Sequence, residues 1–236
     1  MSPTWSGQPT LLVFDVNETL LDLRALVPAF TEAFEDPRAM NEWFLRTLHG
    51  SLVASTLRAR ESFATIAGSA LDDLATARRV VLPEESRTRI LTTLRQLPLH
   101  EDVRAAFEHL REAGFMLAAL TNSPRALAIE QLEHAGIAAS FDRIMSVETT
   151  ARFKPDAETY LAAARTLHVP IDQIRLVAAH DWDVAGAIGA GARGAFIARE
   201  GATYREWLPR PDIDGPDLVQ VARAIVETDS PGSRDG

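Results

Sequence analysis

The chain contains no cysteine, and its 236 residues include no long apolar run and no cluster of basic residues. The absence of cysteine excludes disulfide bonds, thiolate catalysis and cysteine metal sites, and it suits a reducing cytoplasm. Because no apolar run approaches a membrane span and segment 1–9 carries no apolar signal core, we expect a cytoplasmic protein without a membrane partner. The missing basic cluster and the net charge of −9 argue against a nucleic-acid partner.

The composition is otherwise that of an ordinary globular protein. Hydrophobic residues make up 46% of the chain and charged residues 24%, which supplies enough apolar material for a sizeable core. The length suits one large domain, or a core with a smaller lobe. An anionic substrate would have to be held by individually placed arginine or lysine side chains, against the overall negative charge.

Two patterns follow one another along the chain. Residues 23–97 carry helical periodicity with few strand signals, whereas from residue 99 onwards short buried strands alternate with helices. This alternation predicts an α/β fold, a doubly wound parallel sheet with a Rossmann-like core. We assign residues 1–22 and 98–236 to that core, and residues 23–97 to an inserted helical cap over the carboxyl edge of the sheet.

Apolar runs, prolines and glycines set the expected element boundaries. We predict strands over residues 10–14, 115–120, 141–147, 174–179 and 194–198. We predict cap helices over 25–34, 39–60, 62–70, 71–80 and 83–97, and core helices over 101–113, 124–135, 156–167, 181–190 and 217–228. Segments 1–9 and 230–236 are polar, and we expect them to be loosely held.

Polar side chains stand at the ends of successive predicted strands. Asp15 ends the first strand, and Asn17 and Thr19 follow it at alternate positions. The later strand ends add Thr121, Asn122, Lys154, Tyr160, His180, Asp181 and Asp183. Because the carboxyl ends of parallel strands share one edge of the sheet, residues far apart in the chain are expected to converge there.

These residues also have structural explanations. Asp15 could cap a helix after a buried strand, and the stretch alone leaves that interpretation and a nucleophilic one about even. Thr121-Asn122-Ser123 could be turn and capping chemistry, and we predict that Ser123 caps the helix that begins at Pro124. Lys154 could be a solvated loop lysine. Asp181 fits best as an acid at a helix N-terminus, and a lone histidine such as His180 is more often structural than catalytic. Only their joint placement favours a catalytic site.

An ordered set of short motifs runs along the chain. It comprises Phe14-Asp15-x-x-x-Thr19-Leu20, Thr121-Asn122-Ser123, Lys154-Pro155 and Trp182-Asp183. In this order the motifs resemble those of the haloacid dehalogenase superfamily, over residues 11–224 and with a helical cap between the first two. The segments Arg152–Asp156 and Trp182-Asp183 look most like the 2-haloacid dehalogenase (type II) branch. The resemblance implies a hydrolase that acts on a small carboxylic acid, and it suggests a homodimer.

The resemblance also implies roles. Asp15 would be the nucleophile, Lys154 would orient and stabilise its carboxylate, and Asp183 would complete the polar site. It also implies that Thr121 and Asn122 bind the substrate or its developing charge. Our candidate substrate site adds Asn17, Thr19, Arg46, Phe63, Tyr160 and Trp182. The chemistry is sound, because a carboxylate can displace a leaving group at carbon and form an ester that water then hydrolyses. A lysine beside it would keep that carboxylate ionised.

Two departures from the superfamily argue against phosphatase chemistry. Phosphatases of the superfamily carry an acid two residues after the nucleophile, where this chain has Asn17, which cannot deliver a proton. They also carry a metal-binding carboxylate four residues before the final aspartate, where this chain has Ala179. We therefore predict chemistry that uses neither a metal nor another cofactor.

Further departures concern the dehalogenase branch. That branch places an arginine for the substrate carboxylate beside the cap tryptophan, but Trp43 is followed by Phe44, and the nearby Arg46 points to a different face of the helix. Phe63 falls where the branch has an aromatic pocket wall, although core packing explains it equally well. The branch has an asparagine where this chain has His180, and a histidine of unperturbed pKa could activate water near neutral pH.

The residues leave ranked alternatives for the function. The first is a metal-independent 2-haloacid dehalogenase that acts through Asp15. The second is an epoxide hydrolase for a small epoxy acid such as cis-epoxysuccinate, with His180 as the base, because the pair of His180 and Asp183 resembles that of the epoxide-hydrolysing members of the superfamily. A magnesium-dependent phosphatase ranks lower because of Asn17 and Ala179, and a non-catalytic binding module ranks lower because the whole set of strand-end groups is kept.

Overall fold

The structure, a computed structural model, describes residues 11–229. The predicted tails 1–9 and 230–236, and residue 10 of the first predicted strand, lie outside the described residues. Strands β1 to β6 run Leu11–Phe14, Met116–Thr121, Arg143–Ser146, Ile174–Ala178, Arg193–Ile197 and Ile213–Gly215. Helices α1 to α9 run Val27–Phe34, Ala39–Leu57, Phe63–Arg78, Glu84–Arg95, Val103–Glu112, Arg125–His134, Ala157–Leu167, Asp181–Gly189 and Leu218–Asp229.

The described strands form one parallel sheet in the order β3-β2-β1-β4-β5-β6. β1 is an uninterrupted apolar run with all of its residues buried, which is typical of a strand covered on both faces. It lies between β2 and β4, with Phe14 opposite Ala119 and Val177. The chain reverses its winding direction at β1, so the carboxyl end of β1 opens at the switch point where α/β proteins bind ligands. The predicted doubly wound α/β sheet is confirmed.

One predicted break inside the cap is wrong. We predicted two helices over 62–70 and 71–80, but α3 is continuous. Leu71 and Leu74 extend the buried face that begins with Phe63 across the predicted break. A continuous apolar face favours one helix packed on its neighbour over two short helices.

Two predictions in the core also need correction. Ser123 does not cap α6, because Pro124 occupies the N-cap position and no side chain accepts a hydrogen bond there. The edge strand β6 was not predicted, since its three residues are too few to carry a periodic signal. Pairing of Ile213–Gly215 with β5 extends the sheet on that side.

The inserted helices contact the core at the carboxyl side of the sheet. The Ser55 hydroxyl of α2 accepts a hydrogen bond from the backbone N–H of Phe153 at 2.7 Å. At the base of the insertion, the N–H of Asp22 donates to the carbonyl of Pro98 at 2.8 Å, so the chain leaves and re-enters the core at adjacent points. This supports the division at 22/23 and 97/98, which stays a prediction. Within residues 11–229 no helix is both long and apolar enough to cross a membrane.

Arg175 is a fully buried arginine on β4 that ties α9 to the sheet. Its Nε donates to Asp229 Oδ2 at 2.6 Å, and its Nη2 donates to Asp212 Oδ2 at 2.9 Å. The Asp229 side chain is fully buried, whereas that of Asp212 is 38% exposed. The guanidinium is therefore neutralised in the interior, where removal of the buried Asp229 would leave the charge with the more exposed Asp212 as its carboxylate partner.

Replacement of Asp229 by asparagine should lower the free energy of unfolding by about 3 kcal/mol, because the buried Arg175 charge loses an anionic partner. Asp212→Asn is the matched control at the more exposed partner, and it should cost about 1 kcal/mol or less. Urea unfolding followed by circular dichroism measures both variants. Equal losses would contradict this account of the Arg175 site.

Candidate active site

Asp15 sits immediately after β1, at the centre of the carboxyl edge of the sheet. Its backbone N–H donates to the carbonyl of Val177 at 3.1 Å, which continues the pairing of β1 with β4 and fixes the main chain. The Thr19 hydroxyl donates to Asp15 Oδ2 at 2.8 Å and accepts from the N–H of Ala179 at 3.0 Å. Asp15 is buried, so its carboxylate must be satisfied by protein groups.

Lys154 supplies the charge that balances Asp15. Its Nζ donates to Asp15 Oδ1 at 3.0 Å and to Asp183 Oδ2 at 2.8 Å, and the side chain is 1% exposed. The main chain of Lys154 is held by Asn122, whose Oδ1 accepts the Lys154 N–H at 3.0 Å. One ammonium therefore bridges two buried carboxylates from different strand ends.

The pKa values of Asp15 and Asp183 are shifted in opposite directions. Burial alone would raise the pKa of Asp15, but Lys154 and then His180 outweigh it and hold that pKa well below its usual value. Burial keeps the pKa of Asp183 above its usual value despite the attraction of Lys154. Burial opposes the charge on Lys154, yet its two carboxylate partners raise its pKa. Asp15 is thus the more acidic member of the pair.

Tyr160 completes the environment of Asp183. Its hydroxyl donates to Asp183 Oδ1 at 2.6 Å, and burial beside that carboxylate raises the pKa of Tyr160 well above its usual value. A Cβ at Gly186 would lie 2.8 Å from the Tyr160 hydroxyl oxygen and 2.5 Å from Pro155 Cβ. The absence of a side chain at this position on α8 therefore lets the tyrosine and the Lys154-Pro155 segment approach.

His180 lies on the other side of Asp15. Its Nδ1 is 3.3 Å from Asp15 Oδ2, and its Nε2 is 2.7 Å from Glu18 Oε2. The ring contacts Trp182, at a centroid distance of 4.9 Å, and Phe44, at 6.1 Å, and both pairs of rings are tilted. Burial alone would lower the pKa of His180, but hydrogen bonds and attraction to Asp15 and Glu18 raise it to about 10. The imidazole is therefore charged at neutral pH, unlike the unperturbed histidine on which the sequence argument relied.

The remaining strand-end groups shape the loop around Asp15. Thr121 Oγ1 accepts the N–H of Ser123 at 3.1 Å, and Asn17 Nδ2 donates to Ser123 Oγ at 3.2 Å. The Asn17 Oδ1 atom is buried and has no hydrogen-bond partner among the described residues. Phe63 begins α3 and packs against Phe153 at a centroid distance of 6.0 Å.

Arg46 is not brought to this cluster. Its Nη2 donates to Glu42 Oε1 at 2.8 Å, one turn earlier on α2, and Arg78 binds the other oxygen of the same carboxylate. Phe44 of the same helix faces the site, where it contacts His180. An interval of two residues places Arg46 on another face of α2, as helical geometry requires.

Glu18 and Ser123 belong to the site, although neither was among the predicted site residues. Glu18 has a φ of 61°, a left-handed conformation that a glutamate rarely adopts and that turns its side chain toward His180. No sequence signal pointed to Glu18, because its contact with His180 depends on a left-handed backbone that the residues around it do not predict. Ser123 did carry a signal, because it is a polar residue at the same strand end as Thr121. We interpreted it as a helix cap instead.

The residues present do not form a hard-cation site of the kind that magnesium requires. The described part of the chain contains no cluster of three or more acidic or histidine side chains with metal-site geometry. Asp15 and Asp183 each accept a hydrogen bond from Lys154 through one carboxylate oxygen, and Ala179 has no carboxylate. The donor set therefore fits an ammonium between two carboxylates rather than a divalent metal.

Comparison with known proteins gives a consistent result. Residues 9–191 match the model of the haloacid dehalogenase-like hydrolases. The chain is 26% identical over 218 residues to (S)-2-haloacid dehalogenase H-109 of Pseudomonas putida, an alignment that covers 92% of this chain and 97% of that protein. It is 29% identical over 223 residues to the (S)-2-haloacid dehalogenase of Pseudomonas sp. (strain YL), with 92% of each covered.

A solved structure has the same fold. It is that of the L-2-haloacid dehalogenase from Xanthobacter autotrophicus with chloropropionic acid covalently bound, which matches with a TM-score of 0.85. The two chains are 20% identical, and the match covers 92% of this chain and 98% of that one. The arrangement of sheet and inserted helices is therefore shared along almost the whole chain.

Replacement of Lys154 by methionine should lower the free energy of unfolding by roughly 3 kcal/mol at pH 7, because Asp15 and Asp183 then lose the cation that they share and only His180 remains beside Asp15. Loss of Lys154 raises the pKa of Asp15 relative to the unaltered protein, so protonation relieves the repulsion and the deficit should shrink between pH 7 and pH 4. In the unaltered protein the pKa of Asp15 is depressed, so its stabilising contribution is complete above about pH 4 and is lost only as the pH falls further.

Urea unfolding at both pH values measures this effect. The double variant Lys154→Met/Asp15→Asn is the control, and it should recover part of the loss because it removes one of the two repelling charges. A deficit that does not change with pH and is not reduced in the double variant would contradict the electrostatic role of Lys154.

Proposed function

Because the chain belongs to the haloacid dehalogenase-like hydrolases, we propose that it hydrolyses the carbon–halide bond of a small 2-haloalkanoic acid through an ester on Asp15. One observation carries the proposal: Lys154 keeps the buried Asp15 ionised, while position 17, where a phosphatase needs an acid, holds an asparagine. The relatives reported above support it, since both are (S)-2-haloacid dehalogenases.

The first chemical step follows from the state of Asp15. One carboxylate oxygen attacks the substrate carbon that bears the halogen, a carbon–oxygen bond forms, and the halide leaves with the bonding electrons. Lys154 on Oδ1 and Thr19 on Oδ2 hold the carboxylate plane before the attack, which lowers the entropic part of the barrier. The product of this step is a neutral ester at Asp15.

The second step is hydrolysis of that ester. Water adds to the Asp15 carbonyl carbon and transfers a proton to a base, for which we propose His180. The tetrahedral species collapses by breaking its bond to the alkoxide oxygen of the product, which takes the second proton of the water, so that Asp15 is again a carboxylate and the 2-hydroxy acid is free. The first water proton, held by His180, restores the starting imidazolium. Over a full cycle one water is consumed, and one halide and one proton are released.

The other hydrolytic alternatives have less support. The phosphatase interpretation lacks a general acid at Asn17 and a metal-binding carboxylate at Ala179. The epoxide hydrolase interpretation finds no support among the relatives reported above, which are dehalogenases. Substitution by Asp15 at a carbon that bears a halide is therefore the reaction that we propose.

A small cavity between cap and core suits the substrate. It has a volume of about 80 Å³, and Trp43, Phe44 and Phe63 form an apolar part of its wall. Asn17 and Ser123 are among its polar wall residues. Rotation of the Asn17 amide would let the Ser123 hydroxyl donate to Oδ1 and turn Nδ2 toward the cavity. We propose that this amide helps to bind the substrate carboxylate, since Phe44 cannot.

We further propose a homodimer and a cytoplasmic location. The exposed apolar side chains Leu45, Leu52, Val53 and Leu57 of α2 support an interface between two copies. The absence of cysteine supports a reducing compartment.

Asp15→Asn should lower halide release from 2-chloropropionate by about 10⁴-fold or more, because the amide cannot act as the nucleophile. Asp72→Asn, an exposed carboxylate on α3, is the matched control and should keep normal activity.

Turnover of the unaltered protein should continue in the presence of a chelator. Hydrolysis of a generic phosphate ester with magnesium, without any dehalogenation, would overturn the proposal.

A further inference from the structure

We propose that Glu18 is a positioning residue that holds His180 in the orientation required for ester hydrolysis, and that esterification of Asp15 converts this histidine from a charged partner into a base. The inference deepens the proposed function and rests on it. It concerns the second step alone, so its failure can be distinguished from failure of the first step.

The geometry around the ring supports this role. Glu18 Oε2 lies 2.7 Å from His180 Nε2, and the opposite ring nitrogen, Nδ1, faces Asp15 Oδ2 at 3.3 Å. When the ring carries a single proton, a carboxylate at Nε2 retains that proton there and leaves Nδ1 as the unprotonated nitrogen. Nδ1 is the nitrogen that faces Asp15, where water must be activated.

The main chain holds Glu18 in place for this contact. Its N–H donates to the carbonyl of Leu21 at 2.8 Å, and its own carbonyl accepts from His100 Nε2 at 3.1 Å. These bonds secure the left-handed conformation at Glu18, with its φ of 61°. Such backbone strain persists only where the surroundings enforce it, and it is found often at functional sites.

The charge balance explains the switch. In the free enzyme two carboxylates flank one imidazole, and the pKa of His180 is raised to about 10. Formation of the ester makes Asp15 uncharged, so the imidazolium keeps only Glu18 as an anionic partner and its pKa falls. The imidazolium then releases its proton to water, and Nδ1 becomes free to accept a proton from the attacking water.

Other charged groups near the ring are already paired. Two cavities of about 220 and 550 Å³ adjoin His180, and the charged or titratable residues that line them besides Glu18 are Asp22, Arg24, His100, Asp181, Arg199, Glu200 and Arg205. Arg24 lies 2.5 Å from Glu200, and Arg205 lies 3.4 Å from Asp181. Among the described residues, Asp15 and Glu18 are the carboxylates that bond the imidazole, and both cavities offer water a path to it.

Glu18→Gln tests the proposal, because glutamine keeps an acceptor at this position and removes its charge. In rapid-quench experiments with 2-chloropropionate, the Asp15 ester should form within about threefold of the normal rate, while its hydrolysis should slow on the order of tenfold and the ester should accumulate. The acid limb of the pH profile for hydrolysis should move to lower pH. Glu200→Gln is the matched control, since Glu200 lines the same cavities without a bond to His180.

Nitrogen-15 NMR of the imidazole provides a measurement that needs no turnover. Asp15→Asn mimics the uncharged ester, and it should lower the pKa of His180 by at least about one unit. Adding Glu18→Gln to that variant should lower it by a similar amount again.

The outcomes separate the two proposals. No Asp15 ester in the unaltered enzyme would refute the proposed function, and this inference with it. A normal ester whose hydrolysis rate and pH profile are unchanged in Glu18→Gln would refute the inference alone. An unchanged His180 pKa in the Asp15→Asn/Glu18→Gln variant relative to Asp15→Asn would also refute it.

Discussion

The buried ammonium of Lys154, held between Asp15 and Asp183, is the interaction on which the rest of the site depends. Two carboxylates alone could not both stay ionised in this interior, because their repulsion and desolvation would drive a proton onto one of them. Lys154 arrives from a loop after β3, Asp15 from β1 and Asp183 from the start of α8 after β4. The parallel sheet is therefore required to bring these three charged side chains together. Their presence makes the carboxyl edge of the sheet polar.

The charged groups of the site form a network in which Lys154 and His180 each contact two carboxylates. Asp15, Asp183 and Glu18 face Lys154 and His180, so a change at one group alters the proton affinity of the others. Formation of an ester removes the Asp15 charge, which the proposed reaction cycle uses to release the His180 proton. Tyr160 on Asp183 and Thr19 on Asp15 hold the acids in position while the charges change.

The strands and the polar groups at their ends could be predicted from the sequence, because buried apolar runs and the residues that follow them form simple patterns. The convergence of Asp15, Lys154 and Asp183 needed only parallel strands and a shared edge. The contact between Glu18 and His180 could not be predicted, since it depends on a left-handed backbone at one residue. Phe44 against His180 depends on how the cap helices dock on the core, which short-range patterns do not encode.

The most direct test of the account is a single turnover in water enriched in oxygen-18, with enzyme in excess over 2-chloropropionate. If the ionised Asp15 attacks carbon, the 2-hydroxy acid takes its new oxygen from the carboxylate and carries no label. Mass spectrometry of the peptide that contains Asp15 should then find the label in that side chain. Label in the hydroxy acid after one turnover, with none in Asp15, would mean that water attacks the substrate directly and would contradict the account.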